Sequence, residues 1–163
     1  MEDFQELYRL YARELFYYLY RLSNNRTLAE ELVQETFYQA YISIHRFKGN
    51  STVRTWLYQI AKNVYAKDRR SNKETYVGYE NLNKAKEVAS SAELMAERKE
   101  FNQSIHQAVF RLKDPYREVI ILRSFQDLNF RDIGASMQKS ENWARVTFYR
   151  AKKMLREILE GGI

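Results

Sequence analysis

Apolar residues recur along this chain at three- and four-residue steps, and β-branched residues nowhere alternate with polar ones. The pattern therefore predicts helices throughout. Phe4, Leu7, Tyr8, Tyr11, Leu15, Tyr18, Leu19 and Leu22 trace one amphipathic helix, closed by Ser23-Asn24-Asn25. Thr27 followed by Glu30 reads as a capping box. It opens a second helix with Ala29, Leu32, Val33, Thr36, Phe37, Ala40 and Ile44 inward. Phe47-Lys48-Gly49-Asn50-Ser51 is a turn by composition. A third helix follows, with Val53, Trp56, Leu57, Ile60, Ala61 and Val64 on one face. Three complementary stripes can close a small bundle around one core.

From Ser71 the periodicity fails, and Asn, Lys, Glu, Ser and Ala dominate, which predicts a flexible linker over 71–92. Helical spacing returns with Leu94, Phe101, Ile105, Val109 and Leu112. Asp114-Pro115 reads as an N-cap followed by proline at the first helical position. Asn129 caps a short helix holding Phe130, Ile133 and Met137. Gln138-Lys139 then turns the chain, and Ser140 caps a last helix with Ala144, Phe148, Ala151, Leu155 and Ile158 inward. The expectation is an all-α chain: two small helical bundles, 1–70 and 93–163, with a helix-turn-helix in the second.

Charge sharpens this picture. Lys and Arg number 27 against 21 Asp and Glu. Residues 1–70 carry a net +3, 71–100 a net −1 and 101–163 a net +4. The positive charge thus sits on the two bundles, which suits two phosphate-facing modules. The chain has no cysteine, which excludes disulfides and thiolate metal sites and fits a reducing cytoplasm. No apolar run approaches the length of a membrane span, and the acidic start Met1-Glu2-Asp3 does not resemble a signal peptide. His45 and His106 lie far apart, and no glycine-rich phosphate loop or metal motif is present. We assign no catalytic residue, cofactor or metal.

Two blocks carry candidate chemistry. On the last helix, Ser140, Glu141, Asn142, Arg145, Tyr149, Arg150 and Lys153 fall on the face complementary to the apolar one. Asn142 and Arg145 suit bidentate contacts with adenine and guanine in a major groove. Arg150, Lys152 and Lys153 are better placed for phosphates. On the third helix, Arg54, Tyr58, Lys62, Tyr65 and Arg69 form a stripe of alternating cations and rings, expected opposite the apolar face. Rings that stack on bases and cations that track a backbone are the means of gripping a single strand. The turn Lys48, Gly49, Asn50, Ser51 just before it offers small polar groups where an extruded base could sit. Each block also admits a plainer reading, a solvated basic face in one case and a snorkelling surface stripe in the other.

Three stretches together resemble the sigma factors of bacterial RNA polymerase, of the extracytoplasmic-function type (group IV of the sigma-70 family). Leu28-Ala29-Glu30-Glu31-Leu32-Val33-Gln34-Glu35-Thr36-Phe37 is similar to that family's clamp-binding helix. Arg54-Thr55-Trp56-Leu57-Tyr58-Gln59-Ile60-Ala61-Lys62-Asn63 is similar to its minus-ten signature. The segment from Leu112-Lys113-Asp114-Pro115 through Tyr149-Arg150-Ala151-Lys152-Lys153 resembles its minus-thirty-five reader. The resemblance implies a cytoplasmic initiation factor that binds core RNA polymerase, reads duplex promoter DNA and helps melt the minus-ten region. It implies polymerase docking through Glu31, Gln34, Glu35 and Gln39, an acidic face that suits a protein partner better than DNA. It also implies base capture by the loop 47–51, and it brings an anti-sigma factor into view as a regulator. Gln138-Lys139 departs from the family's usual turn, and Trp143 stands where the family usually has a small polar residue. The rival reading, a stand-alone helix-turn-helix regulator, leaves the third-helix stripe and the acidic face without a use.

Overall fold

The computed structural model describes residues 2–71 and 103–161. The segment expected to be a linker, and the return of helical periodicity before Gln103, lie outside the described residues. Among the described residues there is no strand. The order is α1 (Glu2–Ser23), α2 (Arg26–Ser43), a 3₁₀ turn (Ile44–Arg46), α3 (Val53–Ser71), α4 (Gln103–Phe110), α5 (Tyr116–Ile120), α6 (Phe130–Ser136) and α7 (Glu141–Leu159). A π-helical turn, Ile121–Phe125, extends α5.

Local chemistry sets the boundaries. Asn24 closes α1 in the left-handed region at φ 55. Asn25, rather than Thr27, caps α2: its side chain accepts from the Leu28 amide at 2.8 Å. The capping box expected at Thr27–Glu30 is corrected accordingly, because Asn25 lies at the point where the chain is still extended. Thr52 caps α3 through its hydroxyl, which accepts from the Thr55 amide at 3.1 Å. The expected Asp114 cap of α5 is also corrected. The Asp114–Pro115 peptide is cis, Pro115 occupies the cap position, and the Asp114 carboxylate accepts from Arg69 at 2.6 Å instead. Asn129 and Ser140 cap α6 and α7 as expected, accepting from the Asp132 and Trp143 amides at 2.8 and 3.0 Å.

Helices α1, α2 and α3 pack on one another as the first bundle, around Leu15, Leu19, Leu22, Leu32, Phe37, Leu57 and Ala61. Helices α4 to α7 form the second around Val109, Val119, Ile120, Leu122, Leu128, Ile133 and Ala144. The two cores are continuous. Helix α6 lies along α3, and α4 and the π-helical turn lie against α1. This explains the second half of α1, where Phe16-Tyr17-Tyr18-Leu19-Tyr20 is apolar on every side. Such a helix is covered from more than one direction. Tyr18 is fully buried there, and its hydroxyl is one of few buried polar atoms without a hydrogen-bond partner among the described residues.

The helix-turn-helix closes tightly. Gln138 turns at φ 56, and the Lys139 amide donates to the Gly134 carbonyl at 2.7 Å. A Cβ on Gly134 would lie 2.7 Å from the carbonyl oxygens of both Lys139 and Ser140. Backbone cannot yield as a flexible side chain does. Gly134→Ala should therefore push α6 and α7 apart and cost about 1–3 kcal/mol in denaturant unfolding. By contrast, Tyr18→Phe should be neutral to within about 0.5 kcal/mol, because the hydroxyl removed has no partner to lose.

Candidate nucleic-acid and protein interfaces

The exposed face of α7 is the simplest of the candidate surfaces. Ser140, Glu141, Asn142, Arg145, Tyr149, Arg150 and Lys153 are all exposed, while Ala144, Thr147 and Ala151 hold the helix to its bundle. Arg145 is pre-oriented. Its guanidinium donates to Glu141 at 3.1 Å and lies over the Phe130 ring, 5.3 Å from the centroid. Arg123 lies over the same ring at 4.8 Å. A guanidinium fixed by an aromatic face and a carboxylate loses less side-chain entropy when it meets a base edge.

On α2, Glu31, Gln34 and Glu35 are exposed and Gln39 is half-buried, its amide donating to Glu35 at 2.7 Å. Glu31, Glu35 and Gln39 line one wall of a groove of about 620 Å³. Ile60, Asn63, Val64 and Lys67 of α3 line the other. Sequence reasoning missed this second wall: Ile60 and Val64 were expected to be core, but they are half-buried at the groove.

The loop before α3 is open. Lys48, Gly49 and Asn50 are exposed and Ser51 half-buried. Gly49 turns at φ 75, a conformation that glycine adopts without strain, and nothing stands within 4 Å of where a Cβ would be. Phe47 packs on Trp56, ring centroids 5.1 Å apart, which anchors the loop to α3.

The stripe on α3 is where the structure corrects the sequence reading. Arg54, Tyr58, Lys62, Tyr65 and Arg69 do fall on one face, but that face is not a solvent surface. Tyr58 and Tyr65 are 1% and 2% exposed. The Tyr58 ring meets Tyr18 edge-on at 5.2 Å, and the Tyr65 hydroxyl donates to the Leu22 carbonyl at 3.3 Å. Neither ring presents a face for a base to stack on. The stripe's polar ends instead meet α1 and the second bundle. The Tyr58 hydroxyl donates to Glu14 at 2.9 Å and accepts from the Gln126 amide at 2.6 Å. Arg54 bonds both Glu14, at 2.7 Å, and the Gln126 backbone carbonyl. Arg69 joins Asp114, and Lys62 is among the cations that favour the charged form of Glu118.

Gln126 is therefore a junction that no sequence signal singled out. It is 5% exposed, its amide also donates to the Glu14 carbonyl at 2.9 Å, and its side-chain oxygen accepts from Arg21 at 3.0 Å. Burial lowers the pKa of Arg21 to about 10, and the guanidinium lies 4.5 Å from the Phe125 ring centroid. Further along the seam, the His106 ring nitrogen Nε2 lies 2.6 Å from the Asn24 side-chain oxygen, and Arg117 donates to the Leu22 carbonyl at 3.2 Å.

Comparison with known proteins places this geometry. The chain matches the family models for sigma-70 region 2 over residues 7–75 and sigma-70 region 4 over residues 102–155. It is 30% identical over 158 residues to the RNA polymerase sigma factor YlaC of Bacillus subtilis, an alignment covering 96% of this chain and 91% of that protein. It is 28% identical to the ECF sigma factor SigM of the same organism, over 97% of this chain and 96% of SigM. Its fold resembles the sigma factor RpoE solved with the anti-sigma factor NepR from Bartonella quintana, with TM-score 0.74, 22% identity and 98% of each chain covered. It also resembles CnrH solved with the cytosolic domain of CnrY, with TM-score 0.73, 19% identity, and 98% of this chain and 89% of CnrH covered.

Two buried titrating groups on the seam give a test. Burial first, then Asp114, raises the pKa of Glu118 to about 7; burial, then Arg21 and Arg117, lowers that of His106 to about 4. The folded state thus holds the Glu118 proton more tightly than the unfolded chain does. The stabilisation this gives is full below the ordinary glutamate value and is lost as pH rises through about 7. His106 has the opposite sign: its contribution is full above the ordinary histidine value and fades as pH falls toward about 4. The stability of the wild-type chain minus that of Glu118→Gln should therefore fall as pH rises from about 4.5 to 7. Denaturant titrations across that range measure it, and a difference independent of pH would contradict the assignment.

Proposed function

The chain belongs to the extracytoplasmic-function group of the sigma-70 family, and on that premise we propose that it brings core RNA polymerase to specific promoters and helps open their minus-ten region. It is a transcription initiation factor rather than a stand-alone regulator. The observation that carries this is the presence of both family regions, in order, on the two bundles of one chain. The chain itself performs no bond chemistry in this reading, which belongs to the polymerase.

Residues 1–70 form the melting and polymerase-binding domain, residues 71–92 a linker and residues 93–163 the minus-thirty-five reader. Glu31, Gln34, Glu35 and Gln39 dock on the polymerase. What supports this is the exposure of Glu31, Gln34 and Glu35 on a face whose carboxylates repel DNA, beside a groove lined in part by Leu28, Leu32, Ile60 and Val64. Lys48, Gly49, Asn50 and Ser51 take an unstacked base of the melted strand, supported by an open loop held at its root by Phe47 and Trp56. Along α3 the strand contacts narrow to Arg54, Lys62 and Arg69, since Tyr58 and Tyr65 are buried with their hydroxyls bonded to Glu14 and to the Leu22 carbonyl. Ser140, Glu141, Asn142, Arg145, Tyr149, Arg150 and Lys153 read the upstream duplex. Asn142 and Arg145 contact base edges, and Arg150 and Lys153 contact phosphates. The similar sigma factor RpoE is bound to the anti-sigma factor NepR, which supports a dedicated inhibitor as a partner here as well.

Run-off transcription with purified core polymerase tests the role: the chain should support promoter-dependent initiation, and its absence would remove the reading. Glu35→Lys should weaken binding to core polymerase without loss of helical content, as measured by co-migration on gel filtration. Arg145→Ala should weaken binding to an upstream duplex by about 1–3 kcal/mol and relax discrimination at one base pair. An equal loss on every duplex would mean that Arg145 touches only phosphate.

A further inference from the structure

Beside α1 lies a cleft of about 420 Å³ that none of the surfaces assigned to polymerase or DNA uses. One wall is a stripe of α1, where Leu10, Arg13, Glu14, Tyr17 and Arg21 recur at three- and four-residue steps. The other is Phe125, at the end of the π-helical turn, with Gln126 after it. Such turns are rare and are found frequently at functional sites. The charge of the cleft is one-sided. Glu14 is the one acid among the described residues lining it, and Arg54 and the Tyr58 hydroxyl already hold its carboxylate, at 2.7 and 2.9 Å. Two guanidinium groups converge on one ring: Arg13 lies 5.8 Å and Arg21 5.4 Å from the Tyr17 centroid. Arg21 is 8% exposed and is fixed against the Phe125 ring at 4.5 Å and on the Gln126 side-chain oxygen at 3.0 Å. From this arrangement we propose that the cleft binds a small phosphorylated ligand, a nucleoside monophosphate, whose phosphate is taken by Arg13 and Arg21 and whose base packs on Leu10, Tyr17 and Phe125.

The chemistry of the walls selects this ligand. Planar guanidinium groups bind phosphate oxygens two at a time and are weakly hydrated, so they lose little water on meeting an anion. A carboxylate would bring one charge to two cations, whereas a phosphate monoester carries roughly 1.5 to 2 negative charges at neutral pH. Apolar side chains beside charges of one sign focus their field into the cleft. Arg13 is exposed and Arg21 buried, so an anion can enter past the first and settle on the second. Both lie against an aromatic ring beforehand, which lowers the entropy lost on binding. The volume falls within the usual range for small-molecule sites, about 300–1,000 Å³. Every base has a π-face, so the rings accept any base and do not choose among them.

Isothermal titration calorimetry of the full chain at fixed ionic strength, with AMP, GMP, adenosine and inorganic phosphate as probes, tests the site. AMP and GMP should bind alike, each about tenfold or more tighter than adenosine or inorganic phosphate, because only they engage both walls. Arg13→Gln should weaken AMP about tenfold through loss of a charge-assisted hydrogen bond. Tyr17→Leu should narrow the advantage of AMP over inorganic phosphate. The hydrogen bonds described for Gln126 involve neither residue, so both variants keep that joint, and circular dichroism checks their fold. Arg131→Gln, an exposed cation on α6 outside the cleft, should leave AMP affinity unchanged. Inorganic phosphate binding as tightly as AMP, or equal losses in Arg131→Gln and Arg13→Gln, would show attraction to any basic surface and overturn the site. No binding of AMP or GMP at millimolar concentration would overturn it too, as would an Arg13→Gln defect confined to duplex DNA.

Discussion

The structure depends on how one buried amide is satisfied. Gln126 leaves the π-helical turn with its side chain inside protein, where an unpaired amide costs about 1–3 kcal/mol. The described partners of its side chain belong to the first bundle, namely the Glu14 carbonyl, the Tyr58 hydroxyl and the Arg21 guanidinium, and its backbone carbonyl accepts from Arg54. A fully satisfied polar cluster in low dielectric holds a unique geometry, and a half-satisfied one is costly. That requirement fixes the π-helical turn against α1, sets α6 along α3, and makes two bundles share one core.

Water is the alternative partner for these groups, and this gives the joint its character. The charged contact across the seam, Arg69–Asp114, is partly open to solvent, where an ion pair contributes roughly 0–1 kcal/mol, as is the Arg54–Glu14 pair within the first bundle. The apolar contacts around Tyr18 and Leu22 supply the larger attraction. The interface thus joins a continuous apolar core to a polar seam. Interfaces between domains of one chain are generally of this kind. The acidic face of α2 proposed for polymerase docking lies away from this joint.

Much of this was legible in the sequence. Helical periodicity located α1, α2, α3 and the helix-turn-helix, and the exposed face of α7 stands where spacing put it, since packing there is one-sided and a one-sided helix reveals its outer face. The stripe on α3 was legible as a set but not in its direction. Tyr is amphipathic, so a Tyr-Arg alternation reads equally well as a surface and as the edge of a core. The all-round apolar run Phe16–Tyr20 of α1 was the available signal that more than one bundle would cover it. Caps were misassigned where two candidates stood within a few residues. Asn25 won over Thr27 because the backbone is extended there, and Asp114 was drawn off by an arginine 45 positions earlier in the chain. Gln126 carried no signal at all, because a lone glutamine after a helix is ordinary until its partners are known.

The central claim, that the bundles are coupled through Gln126, is tested most directly by a double-mutant cycle in equilibrium unfolding between Gln126→Ala in the second bundle and Tyr58→Phe in the first. Side chains joined by a 2.6 Å hydrogen bond across a buried seam should show a coupling energy of about 0.5–3 kcal/mol. Losses that add to within about 0.3 kcal/mol would mean that the two bundles do not meet at this point in solution.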